Sequence, residues 1–148
     1  MQVEYIIDTI GIIRKNFLEL IEKCTIEELN KIPQGFSNNL AWNLAHVLSS
    51  QQVLCYELSS LEMRTDKSLV DEYRPGTFPA EFVDAQRIAF IKENLVKSVA
   101  QLKEDYRAGI FKTYKERQTR FGVLLTNIDE AIYYISTHET LHFGYAKA

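Results

Sequence analysis

The residues of this chain best suited to chemistry are its three histidines, His46, His138 and His142. His138 and His142 stand four apart, so on a helix their rings leave one face a turn apart and can converge on a single ion. Both continue the 3-4 rhythm of Ile128, Ala131 and Ile135, which runs on to Tyr145. An inward face is therefore expected for them, where an unsatisfied polar group costs about 1–3 kcal/mol. One shared ion would satisfy both rings. As letters, His138-Glu139-Thr140-Leu141-His142 is also H-E-x-x-H, the zinc-protease signature whose Glu activates water. Such proteases take a further ligand downstream, and Phe143–Ala148 offers no His, Asp or Glu. A third ligand is expected upstream instead. Glu139 lies about 100° around the helix from His138, which leaves two readings open: a solvated or ligand-supporting carboxylate, or a general base. His46 shares a flank with Trp42, Asn43 and Ser50, about 100° from Val47 on the main apolar stripe. Periodicity alone makes it equally an exposed residue or a ligand.

Four helices must position these groups. Apolar residues recur every three or four positions through Ile6, Ile10, Ile13, Phe17, Leu20 and Cys24. A second stripe, Leu40, Leu44, Val47, Gln51, Leu54, Leu58 and Leu61, follows Ser37-Asn38-Asn39, residues able to cap a helix start; Gln51 is its one polar step. The third runs Ile88, Ile91, Leu95, Val99, Leu102, Tyr106, and the fourth is the histidine helix, with Asn127 and Glu130 spaced as a capping box. Such stripes predict one all-α domain over residues 1–148, a four-helix bundle with no sheet. Thr25–Pro33 has room for one more helical turn. The long link Glu62–Pro79, with its Arg74-Pro75-Gly76 turn, could return along the whole second helix, about 34 Å at 1.5 Å per residue, and so allow parallel neighbours. The link Arg107–Thr126 carries Phe111, Tyr114, Phe121 and Val123, and is expected to pack across one end of the bundle.

Composition narrows the function classes. In 148 residues there are 17 Lys+Arg against 20 Asp+Glu, a net charge of −3 with no basic block, so neither nucleic acid nor an anionic membrane is an expected partner. The N-terminal stretch carries Glu4, Asp8, Arg14 and Lys15 among its apolar residues, unlike a signal peptide or a membrane span, and a cytoplasmic protein is expected. Cys24 and Cys55 fall at helical, partly apolar positions and read as free thiols. At this length a chain buries roughly 70% of its unfolded surface, enough for a core without a structural metal.

The run Asn38-Asn39-Leu40-Ala41-Trp42-Asn43-Leu44-Ala45-His46-Val47, followed by Gln51-Gln52, together with His138-Glu139-Thr140-Leu141-His142-Phe143-Gly144, resembles the DinB-like (YfiT-like) superfamily of small metal-binding bundles. The likeness spans essentially the whole chain, and Arg74-Pro75-Gly76-Thr77 resembles its bacterial branch. It implies an up-down-down-up bundle with a long connection between helices two and three, usually a homodimer. It also implies one divalent ion, zinc or nickel foremost, on His46, His138 and His142. Members with known activities include S-transferases that use low-molecular-weight thiols, and related isomerases; others are called metal-dependent hydrolases, and some have lost the histidines. The expected activity is accordingly hydrolysis or thiol S-transfer on a small electrophilic substrate. Trp42, Tyr134 and Tyr145 are candidate pocket walls, and Asn43 and Ser50 candidate hydrogen-bond partners of His46. A non-catalytic dimeric bundle, with a binding or stress-related role, is the alternative.

Overall fold

Each of the four apolar stripes is a helix. In chain order the elements are α1 (Gln2–Ile21), α2 (Ile26–Asn30), α3 (Leu40–Gln51), α4 (Lys67–Glu72), α5 (Ala85–Arg107), β1 (Arg117–Gln118), β2 (Leu124–Leu125) and α6 (Ile128–Lys147). The computed structural model describes residues 2–148. Helix α1 packs on α5 and α6, and α3 packs on the same two. The extra turn in Thr25–Pro33 is α2, closed by a capping box in which Thr25 Oγ1 accepts from the Glu28 amide and the Glu28 carboxylate accepts from the Thr25 amide. Helix α3 begins where Asn39 Oδ1 accepts from the Trp42 amide at 2.8 Å. At Asn127 the expected box is only half formed: its side chain accepts from the Glu130 amide, but the Glu130 carboxylate takes the amide and hydroxyl of Thr126.

Three features differ from the sequence reading. The long second link is not fully extended; it holds α4, whose Leu69 and Val70 are buried, and six residues with one apolar pair are too short to declare a period. The third link contains a minimal antiparallel pair, Arg117 opposite Leu125 and Gln118 opposite Leu124. This link does pack on the end of the second helix, where Tyr114 donates to the Leu54 carbonyl and the Lys115 amide to that of Leu58, yet Phe121 and Val123 remain exposed. Finally, α3 continues into a π-helical turn, Gln52–Glu57, before Ser60 at φ 58° ends it. Every residue from Ala41 to Tyr56 is buried, so α3 lies inside the molecule rather than on its surface.

The core divides into two apolar clusters. One gathers Phe17, Leu44, Leu48, Leu69, Ile91 and Leu95; the other gathers Ile7, Ile10, Cys55, Tyr56, Leu102 and Ile135. A buried polar network joins Arg14, Gln51, Ser98 and Glu139, one residue from each long helix. The Arg14 guanidinium grips the Glu139 carboxylate through Nε at 2.9 Å and Nη2 at 2.5 Å, and its Nη1 donates to the Leu95 carbonyl and Ser98 Oγ, both at 2.8 Å. Gln51 donates to the Ser98 carbonyl at 3.0 Å, which explains the polar step in the second stripe. Arg14 thus takes the central position that the sequence pattern assigns to Ile13, which is only half-buried.

Candidate metal centre

The histidines meet where α3 and α6 pack. Their candidate ligand nitrogens all lie within 4.8 Å of one another. His46 is buried, which resolves the ambiguity left by its flanking position. Its Nδ1 lies 2.8 Å from the carbonyl of Tyr73, an atom that only accepts, so Nδ1 carries the proton and Nε2 presents its lone pair. His142 is fixed in the same sense by Asn43. The Asn43 amide nitrogen donates to Asn38 Oδ1 at 2.7 Å and to the Asn39 carbonyl at 2.8 Å, so its Oδ1 is the atom that faces His142 Nδ1, at 2.6 Å. His142 therefore donates from Nδ1 and leaves Nε2 free. These are the supports that metal-ligating imidazoles use to fix tautomer and ring orientation.

His142 Nε2 lies 3.1 Å from His138 Nε2. Two ligand atoms about 2.0–2.1 Å from a common ion are separated by about 2.9–3.4 Å in octahedral or tetrahedral geometry, so the observed spacing is that of neighbouring ligands. His138 Nδ1 is buried without a hydrogen-bond partner. No protein group therefore fixes the tautomer of His138, and a cation shared by all three rings would use its Nε2 as ligand with the proton on Nδ1. The donor set of three imidazoles suits a divalent ion of the first transition row. Burial pushes the pKa of His138 down to about 4 and that of His142 to about 3, with the neighbouring rings adding to the effect. Burial also lowers His46, opposed by the Tyr73 carbonyl and aided by the charge of Arg120. All three rings are neutral at pH 7, the form that ligates.

A cavity of about 280 Å³ opens on the three rings. Trp42 and Tyr145 line it, as expected: the Trp42 indole stacks on His46 with centroids 4.3 Å apart and donates to Thr77 Oγ1, while Tyr145 meets His142 edge-on. Tyr134 stacks on His138 at 6.0 Å but lines an adjoining cavity, together with Ser50. Asn43 holds His142 rather than His46. Ser50 Oγ comes only to 3.4 Å from His46 Nε2, so the firm partner of His46 is the backbone of Tyr73. No sequence signal marks a main-chain carbonyl from the long link for that role. The two links also bring Gly76, Thr77, Phe78, Arg120 and Phe121 to the cavity wall, residues that periodicity could not place.

Glu139 is not solvated. It is 1% exposed, faces away from the cavity lining into the core, and is held by Arg14. Burial raises its pKa against the opposing charge of Arg14. Both cysteines are free thiols, as expected; Cys55 is buried and Cys24 half-buried. No helix among the described residues is long and apolar enough to cross a membrane.

No curated protein matches the chain. The sequence profile of the DinB superfamily matches residues 11–146, from α1 to the last turn of the histidine helix, and the chain belongs to that superfamily.

Proposed function

We propose that this chain is a divalent-metal enzyme of the superfamily, acting by hydrolysis or thiol S-transfer on a small electrophilic substrate, with zinc or nickel held by His46, His138 and His142. The observation that carries the reading is the convergence of three neutral imidazoles, two of them with fixed tautomers, on the floor of a cavity. A divalent ion there supplies Lewis acidity that makes water or a thiol nucleophilic near neutral pH. Three protein ligands leave coordination room for a reactant, the pattern of catalytic rather than structural sites. Asn43 and the Tyr73 carbonyl hold two rings in register, and Trp42 clamps His46 between its own ring and the site. Phe78, Phe121 and Tyr145 give the cavity apolar walls beside its polar ones. Glu139 acts in this reading on the fold, not on the substrate.

The reading includes an up-down-down-up bundle, supported by the packing of α1 and α3 on the same two helices. It includes a homodimer in the cytoplasm, with partner-facing apolar surface on α1, where Tyr5 and Ile12 are exposed, and on α5, where Val96 is exposed; buried α3 has none to give. Metal titration of the wild type and of His46→Ala, His138→Ala and His142→Ala tests the site. One equivalent is expected in the wild type, and full stoichiometric binding in all three variants would sink it. Turnover of thiol conjugates or esters, lost on chelation and restored on reloading, separates the enzyme from a purely binding bundle. A requirement for an added low-molecular-weight thiol would favour transfer over hydrolysis.

A further inference from the structure

The wall of the histidine cavity has an unbalanced charge. Its lining includes one arginine, Arg120, and no Asp or Glu. Arg120 sits at the tip of the β1–β2 hairpin, with its Nη2 over Gly76, 3.8 Å from where a side chain there would begin. It is absent from every ion pair among the described residues. Its neighbours differ. Arg74 is engaged by Glu57 and Asp71, and Arg117 lines only the adjoining cavity, so Arg120 is the one guanidinium in the lining of the histidine cavity. Three neutral ligands cancel none of the charge of a divalent ion either. With such an ion bound, an occupant of this cavity would meet positive charge on both sides and no carboxylate of the protein. Guanidinium groups pair with planar oxyanions through two parallel N–H bonds, and such charge-assisted bonds are roughly twice as strong as neutral ones.

We infer that Arg120 is the anion-recognising residue of this site, selecting a small substrate or co-substrate thiol that carries a carboxylate or similar oxyanion apart from its reacting atom. The inference rests on the metal reading above and names the substrate class for it. Gly76 lies beside the guanidinium: its φ of 89° disfavours a side chain, although a Cβ there would meet Arg120 only at ordinary van der Waals distance. Phe78 and Phe121, both 68% exposed at the rim, would cover the apolar part of such a molecule. The neutral wall of Ser37, Asn38 and Thr77 offers hydrogen bonds but no repulsion.

Trp42 is the one tryptophan of the chain and lines the cavity, so its fluorescence reports occupancy directly. Zinc-loaded protein is titrated with mercaptosuccinate and, separately, with the uncharged thiol thioglycerol; metal-free protein is titrated with succinate. Arg120→Gln is expected to weaken mercaptosuccinate by about tenfold, equivalent to about 1.4 kcal/mol, while moving thioglycerol by less than about twofold. Arg120→Lys should fall between the two, because it keeps the charge and loses the fork. Equal loss for both thiols, or no loss for either, overturns the inference while leaving the metal site standing. If neither zinc nor nickel binds, the metal reading falls and the succinate arm decides alone: Arg120→Gln must still weaken succinate, and unchanged binding overturns the inference. Circular dichroism of each variant confirms that the exposed substitution leaves the helices intact.

Discussion

Replacing Arg14 by Met while Glu139 stays in place strands a carboxylate at the centre of the molecule. Both side chains are about 2% exposed or less, and the guanidinium supplies the carboxylate's hydrogen bonds, at 2.5, 2.9 and 3.2 Å. Water cannot take over that role between two apolar clusters. Breaking a buried pair from one side costs about 3–5 kcal/mol, which for a chain of this size lowers the melting temperature by about 10 °C or more. Glu139→Leu alone should cost somewhat less, because Arg14 keeps the Leu95 carbonyl and Ser98 Oγ. The double variant Arg14→Met/Glu139→Leu replaces the pair by apolar volume and is expected within about 2 kcal/mol of the wild type. The coupling energy from the four proteins is then about 2 kcal/mol or more. Urea unfolding followed by circular dichroism measures it. A loss under about 1 kcal/mol for Arg14→Met, or strictly additive single costs, would refute the reasoning that these two charges stabilise the fold through each other. The letters H-E-x-x-H have their own test: a zinc-protease base at Glu139 would give casein cleavage that Glu139→Gln abolishes, and no cleavage is expected from either protein, since the carboxylate faces Arg14 and not the cavity.

Stability of the metal-free protein should fall on acidification. The folded pKa values of His138 and His142 lie below the unfolded value, so below pH 6.5 the unfolded chain takes up protons that the folded rings refuse. The contribution is complete above that value and lost as pH drops toward about 4 and about 3; from about pH 7.5 to about 5.5 it amounts to about 1.4 kcal/mol per ring. A His138→Gln/His142→Gln variant should show urea midpoints with correspondingly less pH dependence, and an unchanged slope would contradict the burial of neutral rings. Zinc at about 100 times its Kd should add about 2.7 kcal/mol, raising the wild-type melting temperature by about 5–11 °C and leaving His46→Ala unmoved. Asn43→Ala removes the oxygen that holds His142 Nδ1; metal affinity should drop about 10–100-fold in competition with a chelator, and an unaltered Kd would deny Asn43 that role.

The helices were legible because each follows an apolar period long enough to read, and the capping residues Asn39 and Asn127 stand where their side chains do accept from the new helix. The phase of those periods was less legible. In α1 the central place belongs to Arg14 instead of Ile13, and in α6 the most buried residue beyond Ile135 is Glu139, with His138 on the flank toward α3. A charge on a core face is visible to periodicity only as an interruption; that it is satisfied depends on a partner 125 positions away. The π-helical turn escaped for a related reason, since one extra residue in a turn leaves no mark on composition.

By itself the sequence determined the four long helices, the pairing of His138 with His142 on one of them, and the absence of any basic footprint, because spacing along a helix and net charge are local or additive properties. Only the tertiary structure decided that His46 turns inward to join them, that Asn43 and a main-chain carbonyl fix the rings, and that Arg120 reaches the same cavity from a distant hairpin. Those facts depend on which faces of separate elements meet, and that is set by how the whole core packs, beyond what any one stretch of chain encodes.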